Sequence, residues 1–464
     1  IDSSVRPRNV FNQKTEEMDI TFAIRENDIS YINRIEISGN EITKDVVIRR
    51  ELAVKPGEIF NGVKVQRSQE RLYNLGYFQR VDISPVSTRI PDEKDLAIRV
   101  EEKKTGEFMF GVGYSSIDDF IGFAEIGQGN FDLFNPPFFM GGGQKLKLRG
   151  EFGSTRSNYE LSFVEPWLFG IPLSFGVDAF RRTWSWTDYN EKRIGFDIRL
   201  RRRLAEFLQM GLEYRLERVE ISDVDDDAYW AIQSEEGKNL ISSLTPSLTR
   251  DTRDSFLIPT RGMKNTISVE VAGGILGGDK SFVKSTFYTS LYQTIFDGHV
   301  LGFRFRAGTA QPYGDTDIMP VYERFYLGGA NTIRGFKYRE VGPYYTESDG
   351  GSDEPIGGNS MMMASVEYTF PIVEMVRGAF FCDIGNVWVD KSWSKLGVGD
   401  PAVVDQDVFS QGWFETLNSG AGFGLRLYLP IGPIKLDYGW PLRTGPNHWN
   451  RTGGRFHFNI GYAF

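Results

Sequence analysis

The sequence predicts a mainly β protein: an antiparallel transmembrane barrel of about sixteen strands, preceded by a small α+β domain. Three observations carry this. Aromatic strand formers are abundant, with 36 Phe, 20 Tyr and 9 Trp in 464 residues, and 51 Gly with 20 Pro supply turns at a density that helical proteins do not need. From Thr105 onward apolar and polar residues alternate strictly. The segments between the alternating runs are short on one side of the predicted sheet and long on the other. No apolar run approaches the ~18 residues of a membrane helix, but a strand needs only about 9–11 alternating residues to cross a bilayer. The net charge of -9 argues against a nucleic-acid partner. Cys382 is the single cysteine, so no intrachain disulfide is possible.

Residues 1–29 hold one short alternating run, Asp19 to Ile24, and read as the last strand of a domain whose beginning is missing. The absence of an initiator Met or a signal peptide at Ile1 suggests a processed chain or an excised fragment. From Tyr31 the pattern is that of a compact β-α-α-β-β domain over 30–104. Ile32, Ile35 and Ile37 mark a strand ending at Gly39-Asn40, and Thr43 is expected to cap a helix through about Leu52. After the Pro56-Gly57 break, Asn61 is expected to cap a second helix that runs to Leu75 and stops at Gly76. Strands Tyr77 to Ser87 and Leu96 to Glu102 follow around a Pro91-Asp92 turn.

The barrel is expected over 105–464. Phe108, Phe110, Val112 and Tyr114 share one face of its first strand, Glu107 to Tyr114. Ile194, Phe196, Ile198 and Leu200 oppose Asp197, Arg199, Arg201 and Arg203, and the pattern persists to Phe456, Phe458, Ile460, Tyr462 and Phe464. Short connections are read at 204–206, 296–299 and 430–433, and long ones at 221–238, 311–359, 390–417 and 441–453. An even strand number returns the C-terminus to the side of the first domain, and the terminal Phe464 suits an interfacial girdle. The stretch Met319 to Pro343 breaks the alternation. Gly328, Gly329, Gly335 and Gly342 permit a folded-back loop, and Arg334 is the one cation at its tip that looks unpaired.

Several motifs together carry a family resemblance. RIEISGNEIT and ERLYNLGYFQRVDI (Glu70 to Ile83) lie in the small domain; YERFYLGGANTIRGF, IGGNSMMMASVEYTFP, FFCDIGNVW and FNIGYAF lie in the barrel. With these the chain resembles the BamA branch of the outer-membrane insertase superfamily over nearly its whole length. The resemblance implies a POTRA domain at 30–104, a remnant of a preceding POTRA domain at 1–29, and a bacterial outer-membrane location with the POTRA domain in the periplasm. Ile333 stands where the family motif commonly has Val. The resemblance also implies that the loop folds into the lumen, anchored through Ile333, Arg334, Gly335 and Phe336, with Arg334 meeting Glu367 and Asp383. Alternation agrees, since Ala364, Val366, Tyr368 and Phe370 turn Glu367 inward, and Phe380, Cys382 and Ile384 do the same for Asp383.

The function implied is folding and insertion of unfolded outer-membrane client proteins, with accessory assembly lipoproteins docking on the POTRA domain and the lipid bilayer around the barrel. No enzyme chemistry, cofactor or metal is expected. The action is placed at a lateral seam of Glu107, Phe108, Met109, Phe110, Gly111 and Gly113 against Phe458, Gly461 and Phe464. A nine-residue strand at ~3.3 Å rise and ~45° tilt spans only about 20 Å, short of the ~30 Å hydrocarbon core, so the bilayer should thin there. Gly461 offers a bend, and Gly111 with Gly113 loosens the first strand. The alternative is a secretion pore of the same superfamily that exports a dedicated partner. Asp223, Asp225, Asp226 and Asp227 resemble the start of a calcium loop, but Ala228 and Ser234 stand where its Gly and Glu belong. A lipase would need a histidine beside a serine nucleophile. His299 sits at a short turn, His448 in a distal loop, and His457 faces the lumen as a hydrogen-bonding residue. Cys382 should face lipid as a small hydrophobe.

Overall fold

The computed structural model describes residues 3–12, 17–26, 29–90, 92–115, 119–345, 354–389, 416–429, 432–444 and 453–460. The chain forms two compact units. One comprises Ile1–Phe108 with Ile126–Lys147 and Val164–Pro166; the other comprises Met109–Glu125, Leu148–Phe163 and Trp167–Phe464.

The first unit opens with two strands rather than the single one expected. β1 (Ser3–Asn12) and β2 (Glu17–Glu26) form an antiparallel hairpin on which Phe11, Met18, Ile20 and Phe22 are exposed. β1 was hidden because VRPRNVF mixes charge into its apolar positions. Next come β3 (Tyr31–Ser38), α1 (Asp45–Arg49), α2 (Gly62–Asn74), β4 (Phe78–Ser87) and β5 (Glu93–Glu102). The sheet order is β3-β5-β4, with β3 parallel and β4 antiparallel to the central strand. Helix α2 buries Val65, Ser68 and Leu72 against Ile32, Phe78, Leu96 and Ile98, which occupy the i, i+3, i+7 stripe of an amphipathic helix. Asn61 Oδ1 accepts the Val63 and Lys64 N–H groups, as an N-cap should, and the turn after the helix has Gly76 at φ +76°.

Thr43 does not cap α1. That helix is only five residues long and starts after Lys44, which makes no side-chain cap. The N–H groups of Glu41, Ile42 and Thr43 instead donate to the carboxylate of Glu102, from 59 to 61 residues away. Burial pushes the Glu102 carboxyl up, but these donors outweigh it and hold the group below its usual range. The Thr43 side chain is committed elsewhere, to Asn130 Nδ2 at 2.8 Å, within the same unit. There too Lys44 pairs with Asp132 at 2.5 Å, and Tyr77 donates its hydroxyl to the Gly143 carbonyl at 3.2 Å.

The barrel consists of β6 (Gly106–Ser115), β7 (Asp119–Phe131), β8 (Gln144–Gly153), β9 (Arg156–Glu165), β10 (Leu173–Ser185), β11 (Asn190–Ala205), β12 (Leu208–Ser222), β13 (Gly237–Asp251), β14 (Gly262–Ala272), β15 (Phe282–Phe296) and β16 (His299–Pro312). After the two-residue strands β17 (Tyr344–Tyr345) and β18 (Glu354–Pro355), it resumes with β19 (Ser360–Val373), β20 (Val376–Trp388), β21 (Asn418–Leu429), β22 (Gly432–Arg443) and β23 (Arg455–Ile460). Leaving out β17 and β18, these are sixteen antiparallel strands in meander order that close on themselves. The short turns share one end with the longer connections 132–143 and 252–261, and the loops read as long lie at the other. Outward positions such as Ile194, Phe196, Leu301, Phe303, Phe423 and Phe456 are exposed to the surroundings, and inward Glu191, Glu217, Ser290 and Asp383 are buried. Strands are not equally long: β11, β12, β13 and β15 have 15 or 16 residues, against 10 in β6, β8 and β9. No helix among the described residues is long and apolar enough to cross a membrane.

Candidate functional site

The connection from β16 to β19 returns into the barrel. Met319, Phe325, Leu327, Ile333, Phe336, Val341 and Ile356 from this loop share one buried cluster with wall residues Val219, Ile241, Phe282, Met363 and Val387. Isolated pairings of Phe325 with Gly358 and Leu327 with Val341 give the loop an internal frame. The folded backbone carries its polar groups inward to named partners, which a buried loop requires.

At the tip Arg334 is 2% exposed and Asp383 is fully buried. The guanidinium meets Asp383 in a bidentate fork, Nε to Oδ2 at 2.7 Å and Nη2 to Oδ1 at 2.8 Å, and the Arg334 N–H adds a third bond to Oδ2 at 3.1 Å. Nη1 reaches Glu367 at 2.6 Å and lies 3.6 Å from Asp437. The guanidinium carbon sits 3.5 Å from the ring centroid of Phe381. Arg426 shares Glu367 Oε2 with Arg334, at 2.8 Å, and binds Oδ1 of Asp437 at 2.7 Å. The structure thus brings together Arg334, Glu367 and Asp383. Ile333 and Phe336 flank them as buried apolar residues, and Gly335 turns the chain at φ +96°. Asp437, Arg426 and His457 complete the tip. His457 takes the lumenal hydrogen-bonding role that its alternation suggests, while for Asp437 and Arg426 inward charge on β22 and β21 was the available signal.

Arg334 is not the loop's one buried cation. Arg324 donates to the carbonyls of Met319 and Ile356 at 3.0 and 2.9 Å. Arg339 stacks on Trp186 and Tyr326, 3.5 and 3.9 Å from their centroids. The base of the loop holds a second cluster that sequence reasoning missed. Glu323, 3% exposed, accepts from Arg193 and Arg215 at 3.3 Å and from Lys284 at 3.0 Å. Arg193 also pairs with Glu191 and Glu217, and Arg215 with Glu217 and Glu270. Glu323 stands in the YERF part of the loop motif, and its partners occupy inward positions of β11, β12 and β15.

The seam joins the last barrel strand to the first. Among the described residues β23 and β6 meet at Asn459 with Ser115, and the residues that follow on β23, from Gly461, lie outside them. Phe108, Met109 and Phe110 are exposed on β6, which also carries Glu107, Gly111 and Gly113; Phe458 stacks on Phe456 along β23. Gly461 and Phe464 lie outside the described residues, as do His448 and most of the loop at 390–417. Among the described residues no cluster of His, Cys, Asp or Glu is placed to hold a metal ion, and Asp223 instead accepts from Asn190 at 2.8 Å. His299 bonds the Tyr368 hydroxyl at 2.7 Å, and Cys382 is exposed on the outer face.

A family model for the Omp85 superfamily domain matches residues 139–464, and a POTRA model, described as a surface antigen variable number repeat, matches 30–103. The chain belongs to the Omp85 superfamily. It is 34% identical over 462 residues to the outer membrane protein assembly factor BamA of Nitratidesulfovibrio vulgaris, covering 98% of this chain and 54% of that protein. The chain spans between 54% and 59% of the length of the BamA relatives that it matches in Nitratidesulfovibrio vulgaris, Neisseria meningitidis and Neorickettsia risticii. Its fold is that of the Haemophilus ducreyi BamA structure lacking POTRA domains 1-3, at TM-score 0.76 and 22% identity, over 99% of this chain and 89% of the other. CdiB from Acinetobacter baumannii shares the fold at TM-score 0.57 and 15% identity, over 99% and 78%. Family and architecture together make this an outer-membrane β-barrel, and its relatives are named assembly factors rather than enzymes.

Proposed function

We propose that this chain is the core of an outer-membrane insertase, which folds client β-barrel proteins and passes them into the bilayer through the seam between β6 and β23. The observation that carries this reading is that the barrel closes where its last strand meets its first, at Asn459–Ser115. A strand edge exposed to lipid costs several kcal/mol per unpaired backbone group, so an opened junction has much to gain from an incoming strand. A client strand adding to β6 would satisfy those groups by strand addition. The seam performs no covalent chemistry. In this reading the POTRA domain faces the periplasm and receives unfolded clients and accessory lipoproteins on its strand edges, β3 and β4. Likeness to CdiB supports the barrel alone and does not favour export of a dedicated partner.

Locking the seam tests this. In a Cys382→Ser background, Ser115→Cys with Asn459→Cys places the two thiols on register partners, within the ~7 Å Cα reach of a disulfide. The oxidised protein should lose client insertion in liposomes and regain it on reduction. Full insertion by quantitatively crosslinked protein would sink the lateral route.

A further inference from the structure

The lumenal loop touches the strand that closes the barrel. The Gly335 N–H donates to Nε2 of His457 on β23 at 3.0 Å, and His457 is 4% exposed. Accepting there requires an unprotonated Nε2, so the ring proton sits on Nδ1. His457 lies two residues from Asn459, the residue that meets Ser115 across the seam.

The approach is built into the backbone of the two preceding strands. A Cβ at Gly420 on β21 would lie 2.0 Å from the Arg334 carbonyl oxygen, and one at Gly439 on β22 would lie 2.8 Å from the Gly335 nitrogen. Gly335 itself, at φ +96°, comes so close that its own Cβ would be 2.8 Å from the Trp440 carbonyl carbon. The tip therefore rests backbone on backbone across β21 and β22 and delivers its next N–H to β23. The fork to Asp383 and the Glu367 contact lie on β20 and β19, so the His457 bond is not part of that anchor. It reaches from the anchored side of the barrel to the strand that must move.

We propose that His457 is a positioning residue: it tethers β23 to the anchored loop tip and so sets how readily the seam opens. This deepens the insertase reading and rests on it for its consequence, but the tether itself is measured without a client. In the full chain in bilayers, His457→Ala should raise amide hydrogen exchange along β23 about fivefold, the order of one net hydrogen bond. Protection of β19, β20 and the rest of the loop, apart from the Gly335 N–H that loses its acceptor, should be unchanged. His457→Gln, whose side-chain carbonyl accepts from the same N–H, should restore wild-type protection of β23. Gly439→Ala, which lifts the tip, should raise β23 exchange with His457 intact. Unchanged β23 exchange in His457→Ala or Gly439→Ala, or a Gln variant that behaves like Ala, would overturn the tether. So would a loss of protection spread equally over the loop, since that is ordinary loss of packing. Client insertion is measured alongside: a freed β23 with unaltered insertion keeps the tether and counts against the lateral route.

Discussion

The two ends of the lumenal loop are held by charge clusters of opposite design. At the tip one guanidinium, Arg334, sits among the carboxylates of Asp383, Glu367 and Asp437, with Arg426 as the second cation. At the base one carboxylate, Glu323, sits among Arg193, Arg215 and Lys284, and the two arginines are themselves paired with Glu191, Glu217 and Glu270. The inversion gives the loop a polarity: neither end would be tolerated at the other's site, because each would bury like charges together. The surroundings also differ in reserve. Without Arg334 the tip keeps three carboxylates against one guanidinium, while without Glu323 the base keeps three cations against three carboxylates.

That imbalance orders the expected effects. Arg334→Ala should be the most damaging, at about 3–5 kcal/mol, because it strands buried Asp383 beside two other carboxylates. It should appear as a lower urea midpoint in bilayers and protease cleavage within 319–343, and a wild-type midpoint with an uncut loop would refute the anchor. Glu323→Ala should cost less, about 1–3 kcal/mol, since Arg193 and Arg215 retain carboxylate partners; a loss equal to or above that of Arg334→Ala would show that the two ends are not distinguished by reserve. The smallest effect is the coupling between them. Among the described residues the two clusters share no ion-paired residue, so the double variant should be additive to within about 0.5 kcal/mol, and a larger interaction energy in the cycle would mean that the loop responds as one rigid body.

Much of this architecture was legible. Barrel class and strand number follow from period-2 alternation, which each strand displays locally, and the lipid-facing side of β11 could be read from Ile194 and Phe196 without reference to any neighbour. Asn61 was readable as a cap because its partners are two and three residues away. Thr43 was not, because its competitor Glu102 arrives from the central strand of the sheet, 59 residues away. The same reason hides Glu323 and the partner of His457, although His457 itself reads as a lumenal hydrogen-bonding residue. A carboxylate among three cations from β11, β12 and β15 depends on strand register, and a bond between residues 122 apart depends on where a loop with no period comes to rest. Arg334 could be matched with Asp383 and Glu367 because a family motif supplied the pairing; Asp437 and Arg426, outside the quoted motifs, had no such help.

The first compact unit is discontinuous in sequence, and this bears on how the protein can be recombined. Thr43, Lys44 and Tyr77 from the POTRA segment find partners in Asn130, Asp132 and Gly143. Glycine and asparagine around the contact leave little slack: Asn130 Oδ1 also receives the Gly143 N–H at 2.8 Å. A chimaera made by exchanging residues 30–104 with a relative would carry half of each contact and keep the other half from the host. The transferable module is residues 30–108 together with 126–147, two segments that a designer would have to graft at once.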